Sequence, residues 1–401
     1  MIGKEEVRSR VFEVARQETS YVVSLLQQLV RTPSLSTGEE QIAGLVRSEL
    51  ENLKPEKVFV ESMGSVVAQI GRGRRVVVYD AHLDTVGIGD KDSWLDDPFS
   101  GIVSNGRVYG RGACDDKGSV ASMIAAVRIL TMLSATLPFS LFVVFTVQEE
   151  DCEGLALESF PRSLGQEPDC VVIGEPSDLA VMRGHRGRAE IEVVTRGKAC
   201  HGSMPHLGEN AIYKMAPIVT SVEWLQSKFR EDPFLGRGTA AVTAIECNSA
   251  SRNTIPDVCR IYIDRRTVPG DTPESVVREI EEIGRTNRAE ASLTIYEAAS
   301  YTGQATRRQR FFPAWVTSEQ DKSVQAACQT FEMLFGTYPV VSKWDFSTDG
   351  NYSKGVAGIP TVGFGPGDPK LAHMANETIP IDDLWKAAAF YAVFPFVYSS
   401  L

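Results

Sequence analysis

The sequence predicts an α/β protein whose larger unit is interrupted by a smaller α+β unit. Short apolar runs alternate with helical periodicity over the first 178 residues, and five acidic or histidine-bearing motifs each sit near such a run. After Asp178 the pattern changes to half-exposed alternation. At 401 residues and 43% hydrophobic content the chain is long enough for two domains.

An opening helix is expected to about Val30, because the residue before Pro33 is pushed out of helical geometry. Thr37 and Glu40 have the spacing of a capping box, which places a second helix start there. Val76–Tyr79 and Leu141–Val147 are short β-branched or aromatic runs, as in strands covered on both faces by helices, with a helix over Lys117–Leu133 between them. Farther on, Ala189–Thr195 and Arg260–Thr267 alternate as half-exposed strands, while Asn210–Phe229 and Pro273–Ile283 read as helices. A helix over Lys322–Phe335, a strand near Thr361–Phe364 and a last helix after Pro380 return to the first pattern. The expected division is therefore residues 1–182, an inserted unit over 183–298, and residues 299–401.

Composition narrows the class. Forty-one basic against 52 acidic residues leave a net charge of −11, which disfavours nucleic acid and anionic membrane surfaces. Seven scattered cysteines without CxxC spacing argue for reduced thiols. The charged N-terminus lacks the apolar stretch of a signal peptide, and no segment approaches the ~20 apolar residues of a membrane span, so a cytoplasmic location is expected.

The motifs are HLD (His82–Asp84), CDDKG (from Cys114), QEE (from Gln148), GEPSD (from Gly174) and AHMANE (from Ala372). Open α/β sheets place ligand sites at the carboxyl ends of their strands, so the motifs converge on one rim. Residues two apart in a strand face the same side, which lets the Asp84 carboxylate hold the second imidazole N–H of His82 while the first nitrogen binds a metal. Glu149 and Glu150 diverge at a strand end, one for metal and one for proton transfer. Asp115 precedes a helix whose free N–H groups favour a carboxylate, and one carboxylate can span two ions roughly 3.5–4 Å apart. Taken singly, an HxD or an EE pair is an ordinary solvated feature. Five in this order describe a metal-dependent hydrolase.

The series HLDTVG, GRGACDDKG, TVQEEDCEG, GEPSD, GHRGRAEIEV, CHGSMPHLGENAI, RNTIPD, DRRTVPG and AHMANE resembles the zinc aminoacylase, acetylornithine deacetylase, succinyl-diaminopimelate desuccinylase and carboxypeptidase G family. Details such as KWDFSTDG and GFGPG are similar to its YgeY-like branch, associated with selenium metabolism. The resemblance implies a mixed-sheet zinc-peptidase-like catalytic domain with a ferredoxin-like lid and dimerisation domain. It implies two zinc ions per subunit, with cobalt or manganese as alternatives: one on His82 and Glu175, the other on Glu150 and His373, and Asp115 bridging. Glu149 becomes the general base, Asp84 supports His82, His201 reaches into a partner subunit's site in a homodimer, and Asn253 and Arg266 match positions that hold a substrate carboxylate or line its pocket. The implied substrate is a small N-acyl amino acid or dipeptide-like amide.

Gln148 stands where many relatives carry Asp, and Asp345–Gly350 does not single out one known substrate. Cys114, Cys152 and Cys200 read as small packing residues, and His206 as structural. His185 with Arg183, Arg186 and Arg188 divides evenly between an anion site and a solvated crossing. The Arg307–Trp315 stretch reads as cleft border or as a surface loop with a buried aromatic anchor. A serine or cysteine hydrolase is disfavoured by the lack of a GxSxG elbow and by Cys200 and His201 being sequence neighbours, and a dinucleotide enzyme because GRGRRV lacks the third glycine and precedes the strand it should follow. A non-catalytic binder on the same fold should have lost a ligand or the base, and none is missing.

Overall fold

In the computed structural model, residues 4–133, 137–160 and 167–401 are described. A nine-stranded mixed sheet forms the larger layer, in the order Lys57–Val60, Val66–Ile70, Phe139–Thr146, Arg75–His82, Cys170–Ile173, Thr361–Gly363, Val181–His185, Trp315–Val316, with Val341–Trp344 also pairing Val181–His185. The central strands are parallel: Arg75–His82 runs beside both Phe139–Thr146 and Cys170–Ile173, and Thr361–Gly363 beside Cys170–Ile173. Their side chains are buried on both faces, which is why they read as continuous apolar runs.

Helix Lys117–Met132 is buried through Leu130 except for Arg128, and its small residues Gly118, Ser119, Ala121, Ser122, Ala125 and Ala126 allow close packing. It lies against the C-terminal helix Ile381–Ser400, whose aromatic face stacks Phe390, Phe394 and Tyr398 in series. Tyr79 donates to the carbonyl of Tyr391 (2.7 Å), and Tyr391 donates to that of Phe364 (2.6 Å), tying this helix to the sheet.

A second, antiparallel sheet runs Thr239–Asn248, Val258–Thr267, Gly187–Arg196, Glu290–Leu293, with Phe311–Phe312 also on Gly187–Arg196. Val258–Thr267 alternates strictly between half-buried and buried residues. Its inward residues Cys259, Ile261 and Ile263 meet Met215, Ile218 and Val222 of helix Ala211–Leu225 and Val276 and Ile280 of helix Pro273–Gly284.

Several local expectations need correction. The opening helix is two helices, Lys4–Gln17 and Thr19–Val30, broken at Glu18. Helix Glu40–Leu53 begins where expected, but without the capping box: Thr37 has φ 70°, and its N–H is taken by the Glu39 carboxylate (3.0 Å). Strand Thr239–Asn248 carries no alternating signature in the sequence, because an exposed edge strand need not alternate. Among the described residues no helix is long and apolar enough to cross a membrane.

Candidate active site

The sheet delivers the motifs to one place. His82 is the last residue of its strand, Glu149 and Glu150 follow Phe139–Thr146, and Glu175 follows Cys170–Ile173. Asp115 immediately precedes the turn into helix Lys117–Met132, and His373 occupies a left-handed position (φ 62°) before strand Thr378–Pro380. Close approach is built in: a Cβ at Gly365 would overlap the carbonyl oxygens of Gly174 and Glu175.

Two groups of candidate ligands share one carboxylate. His82, Asp115 and Glu175 offer atoms that all lie within 4.8 Å of one another, and so do Asp115, Glu150 and His373. Asp115 Oδ1 is 3.0 Å from His82 Nε2, and its Oδ2 is 3.3 Å from His373 Nε2. His373 Nε2 also lies 2.9 Å from Glu150 Oε2, and His82 Nε2 lies 3.7 Å from Glu175 Oε1.

The electrostatics of the site call for a cation. Burial raises Glu149, Glu150 and Glu175 above the ordinary carboxylate range, and neighbouring carboxylates add to it: Glu175 against Glu149, Asp115 against Glu150 and Glu175. Burial also opposes ionisation of Asp115, but hydrogen bonds from His373 and His82 outweigh it and hold Asp115 below its usual value. His373 is pushed up to about 10 by its bonds to Asp115 and Glu150. A buried cluster of this kind is stabilised by divalent cations, and the hard oxygen and imidazole donors suit them.

Asp84 departs from the expected role. The carbonyl of Asp84, not its carboxylate, is the close partner of His82 Nδ1 (2.8 Å against 3.7 Å). The carboxylate turns instead to the Glu149 and Glu150 N–H groups (3.1 and 3.2 Å) and to the Ser36 hydroxyl (2.6 Å). It therefore fixes the Gln148–Glu150 turn. Glu39 supports the same turn by accepting the Gln148 N–H (3.0 Å).

Glu377, the last residue of AHMANE, has a role that the sequence alone does not reveal. It is fully buried and accepts from the N–H groups of Gly112, Cys114 and Asp115 (3.0, 2.8 and 2.9 Å) and from Arg111 Nη1 (2.7 Å). One carboxylate thus holds the backbone on which Asp115 is mounted. The only sequence signal for it was membership of the motif.

These groups border a cleft of about 290 Å³, at the lower end of small-molecule sites. Arg188 and Arg266, directly opposite each other on adjacent strands of the second sheet, line it together with Glu153, Phe346 and Ser347. Asp264 engages Arg266 through two bonds (2.7 and 3.0 Å), and Glu153 engages Arg188 (2.7 Å). His201 and Asn253 lie elsewhere, exposed on a small two-stranded arm where Cys200–His201 pairs with Thr254–Ile255. The arm does not line this cleft, so Asn253 and Arg266 are not brought together within one chain.

The polypeptide matches the sequence model of peptidase family M20/M25/M40 over residues 78–395. The chain belongs to this family. It is 39% identical over 387 residues to the uncharacterized protein YgeY of Escherichia coli (strain K12), covering 96% of each chain. To the succinyl-diaminopimelate desuccinylase of Halorhodospira halophila it is 26% identical over 388 residues, covering 93% of this chain and 97% of that one. Its fold superposes with a TM-score of 0.76 on the M20 family metallo-carboxypeptidase Sso-CP2 from Sulfolobus solfataricus, at 21% identity over 95% of this chain and 99% of that one. As an M20 protein it is a hydrolase of amide or peptide bonds.

The remaining motif residues fall into supporting positions. His185 is buried: its Nδ1 donates to the Arg186 carbonyl (2.8 Å) and its Nε2 accepts the Thr348 N–H (3.1 Å). Burial lowers it to about 4, so it is a neutral structural imidazole and not part of an anion site. Arg183 lies over the Phe234 ring, leaving Arg188 as the member of that group on the cleft. Phe312 and Trp315 are buried anchors, while Arg307, Arg308 and Arg310 pair with Glu297, Glu158 and Glu190. Cys114 and Cys152 are buried, and Cys200 is half-buried.

Proposed function

We propose that this M20 hydrolase is a two-zinc amidohydrolase, with cobalt or manganese as alternative ions, cleaving the C–N bond of a small N-acyl amino acid or dipeptide-like substrate. The observation that carries the reading is the position of Asp115, whose two oxygens face two different imidazoles. In this reading His82 and Glu175 would hold one ion, Glu150 and His373 the other, and Asp115 would contribute to both. When bound, such ions supply Lewis acidity, acidifying water and polarising a carbonyl.

The chain's own part is proton handling and orientation. Glu149 Oε1 is buried without a hydrogen-bond partner among the described residues, and Asp84 fixes its backbone. Glu149 takes the proton of the attacking water and returns it to the leaving nitrogen, a role aided by a carboxyl that burial has raised. Arg266 reads the substrate carboxylate with the donors that Asp264 leaves, since a guanidinium has five. The inserted unit, expected over residues 183–298 and built around the second sheet, acts as lid and dimerisation domain, and His201 on its exposed arm completes the site of a partner in a cytoplasmic homodimer.

The test separates metal from base. Glu149→Ala should keep its metal and lose turnover by about 10²–10⁴-fold across a panel of N-acyl amino acids and dipeptides. Asp115→Ala should lose metal as well. Near-normal turnover in Glu149→Ala would overturn the mechanism.

A further inference from the structure

Cys247 stands on the edge strand Thr239–Asn248 directly opposite Cys259 on Val258–Thr267, and their Sγ atoms are 3.1 Å apart. Opposed residues of an antiparallel pair have Cα atoms about 4.5 or 5.5 Å apart. Both spacings fall inside the roughly 4.4–6.8 Å window that a disulfide spans, and the two sulfurs already face each other across the strand pair. The two thiols differ in access: Cys247 is exposed and Cys259 is buried. That is the arrangement of an entry thiol with a resolving thiol behind it.

We propose that Cys247 and Cys259 form a reversible modification site, closed to an intramolecular disulfide by a small-molecule disulfide of the glutathione type. The Cys247 thiolate attacks one oxidant sulfur, breaking its S–S bond; the first thiolate leaves with the electron pair and takes up a proton. Cys259 then gives up its proton, attacks Cys247 Sγ and expels the second thiol. Two cysteine thiols are oxidised by two electrons, and one oxidant disulfide is reduced to two thiols. Burial and the adjacent thiol push Cys259 up to about 12, which leaves Cys247 as the point of entry.

The bond has a structural consequence. It closes a ring across the connection between the two strands, which carries Asn253 and the Thr254–Ile255 strand paired with Cys200–His201. Asn253 also accepts the Gly202 N–H through its carbonyl (2.6 Å). Oxidation therefore pins the base of the arm that presents His201. This site is independent of the metal cluster and of the amidohydrolase reading.

The test uses the full-length, metal-loaded protein in buffers of increasing oxidised-to-reduced glutathione ratio, quenched with N-ethylmaleimide and mapped by peptide mass spectrometry. The expected product is one peptide cross-linked between Cys247 and Cys259, reversed by dithiothreitol, with slower amide exchange over residues 249–256 in the oxidised form. In Cys259→Ser, Cys247 should stop at the glutathione adduct; Cys247→Ser, altered at an exposed position, should retain its fold and leave Cys259 reduced. Wild-type Cys247 that stays unmodified, that stops at the adduct with Cys259 free, or that links two chains would overturn the proposal.

Discussion

Protonating His185 should destabilise the protein by an amount that can be worked from its surroundings. The imidazole is buried, donates from Nδ1 to the Arg186 carbonyl and accepts at Nε2 from the Thr348 N–H, so a second proton would convert the acceptor into a donor facing a donor. Its pKa falls from 6.5 to about 4, and burial is the largest cause. Between those values the unfolded chain binds a proton that the native state excludes, so stability is fully present above pH 6.5 and is lost as pH falls toward 4. The difference corresponds to about 3 kcal/mol. Urea unfolding of wild type and His185→Gln from pH 7.5 to 4 isolates this term, because other titrating groups cancel in the difference. The variant should be the less stable at pH 7.5, and the gap should shrink by about 3 kcal/mol toward pH 4. Parallel curves would refute the reasoning, since they would mean that His185 accepts a proton in the folded state at no cost. Ser347, beside Thr348, lines the cleft, so the cleft should loosen over the same pH range.

Glu377→Ala should cost about 3–5 kcal/mol in urea unfolding, because it leaves the buried Arg111 guanidinium without its carboxylate. It should also lower metal affinity roughly 10–100-fold by releasing the Asp115 backbone, which a metal-buffered titration would measure. Arg266→Ala should lower kcat/KM roughly tenfold to a hundredfold, the size of a charge-assisted contact of about 1.5–3 kcal/mol, and amidated substrates should lose a similar amount without the two losses adding. Equal turnover of free-acid and amidated substrates would end that assignment. Mixing inactive His201→Ala and Glu149→Ala subunits should restore partial activity in hybrid dimers; a fully active monomer would exclude action in trans.

Local chemistry determined much of this protein from its sequence. Strands such as Arg75–His82 and Phe139–Thr146 announce themselves because burial on both faces demands unbroken apolar runs, and the residues just past such strands must emerge on one rim. The rim positions of His82, Glu149, Glu150 and Glu175 follow from that pattern, whereas their division into candidate ligands and candidate base, with His373 added, is what the family resemblance of the motifs implies. What tertiary structure decided was direction and partnership across long separations. No periodicity tells that the Asp84 carboxylate turns to the Glu149 and Glu150 N–H groups rather than to its neighbour His82. Nor does any local signal reveal that Glu377 holds a loop more than 260 residues earlier in the chain. Asn253 and Arg266 are 13 positions apart in sequence, yet strand Val258–Thr267 sends one to an exposed arm and the other to the cleft, because an extended strand carries its two ends well apart.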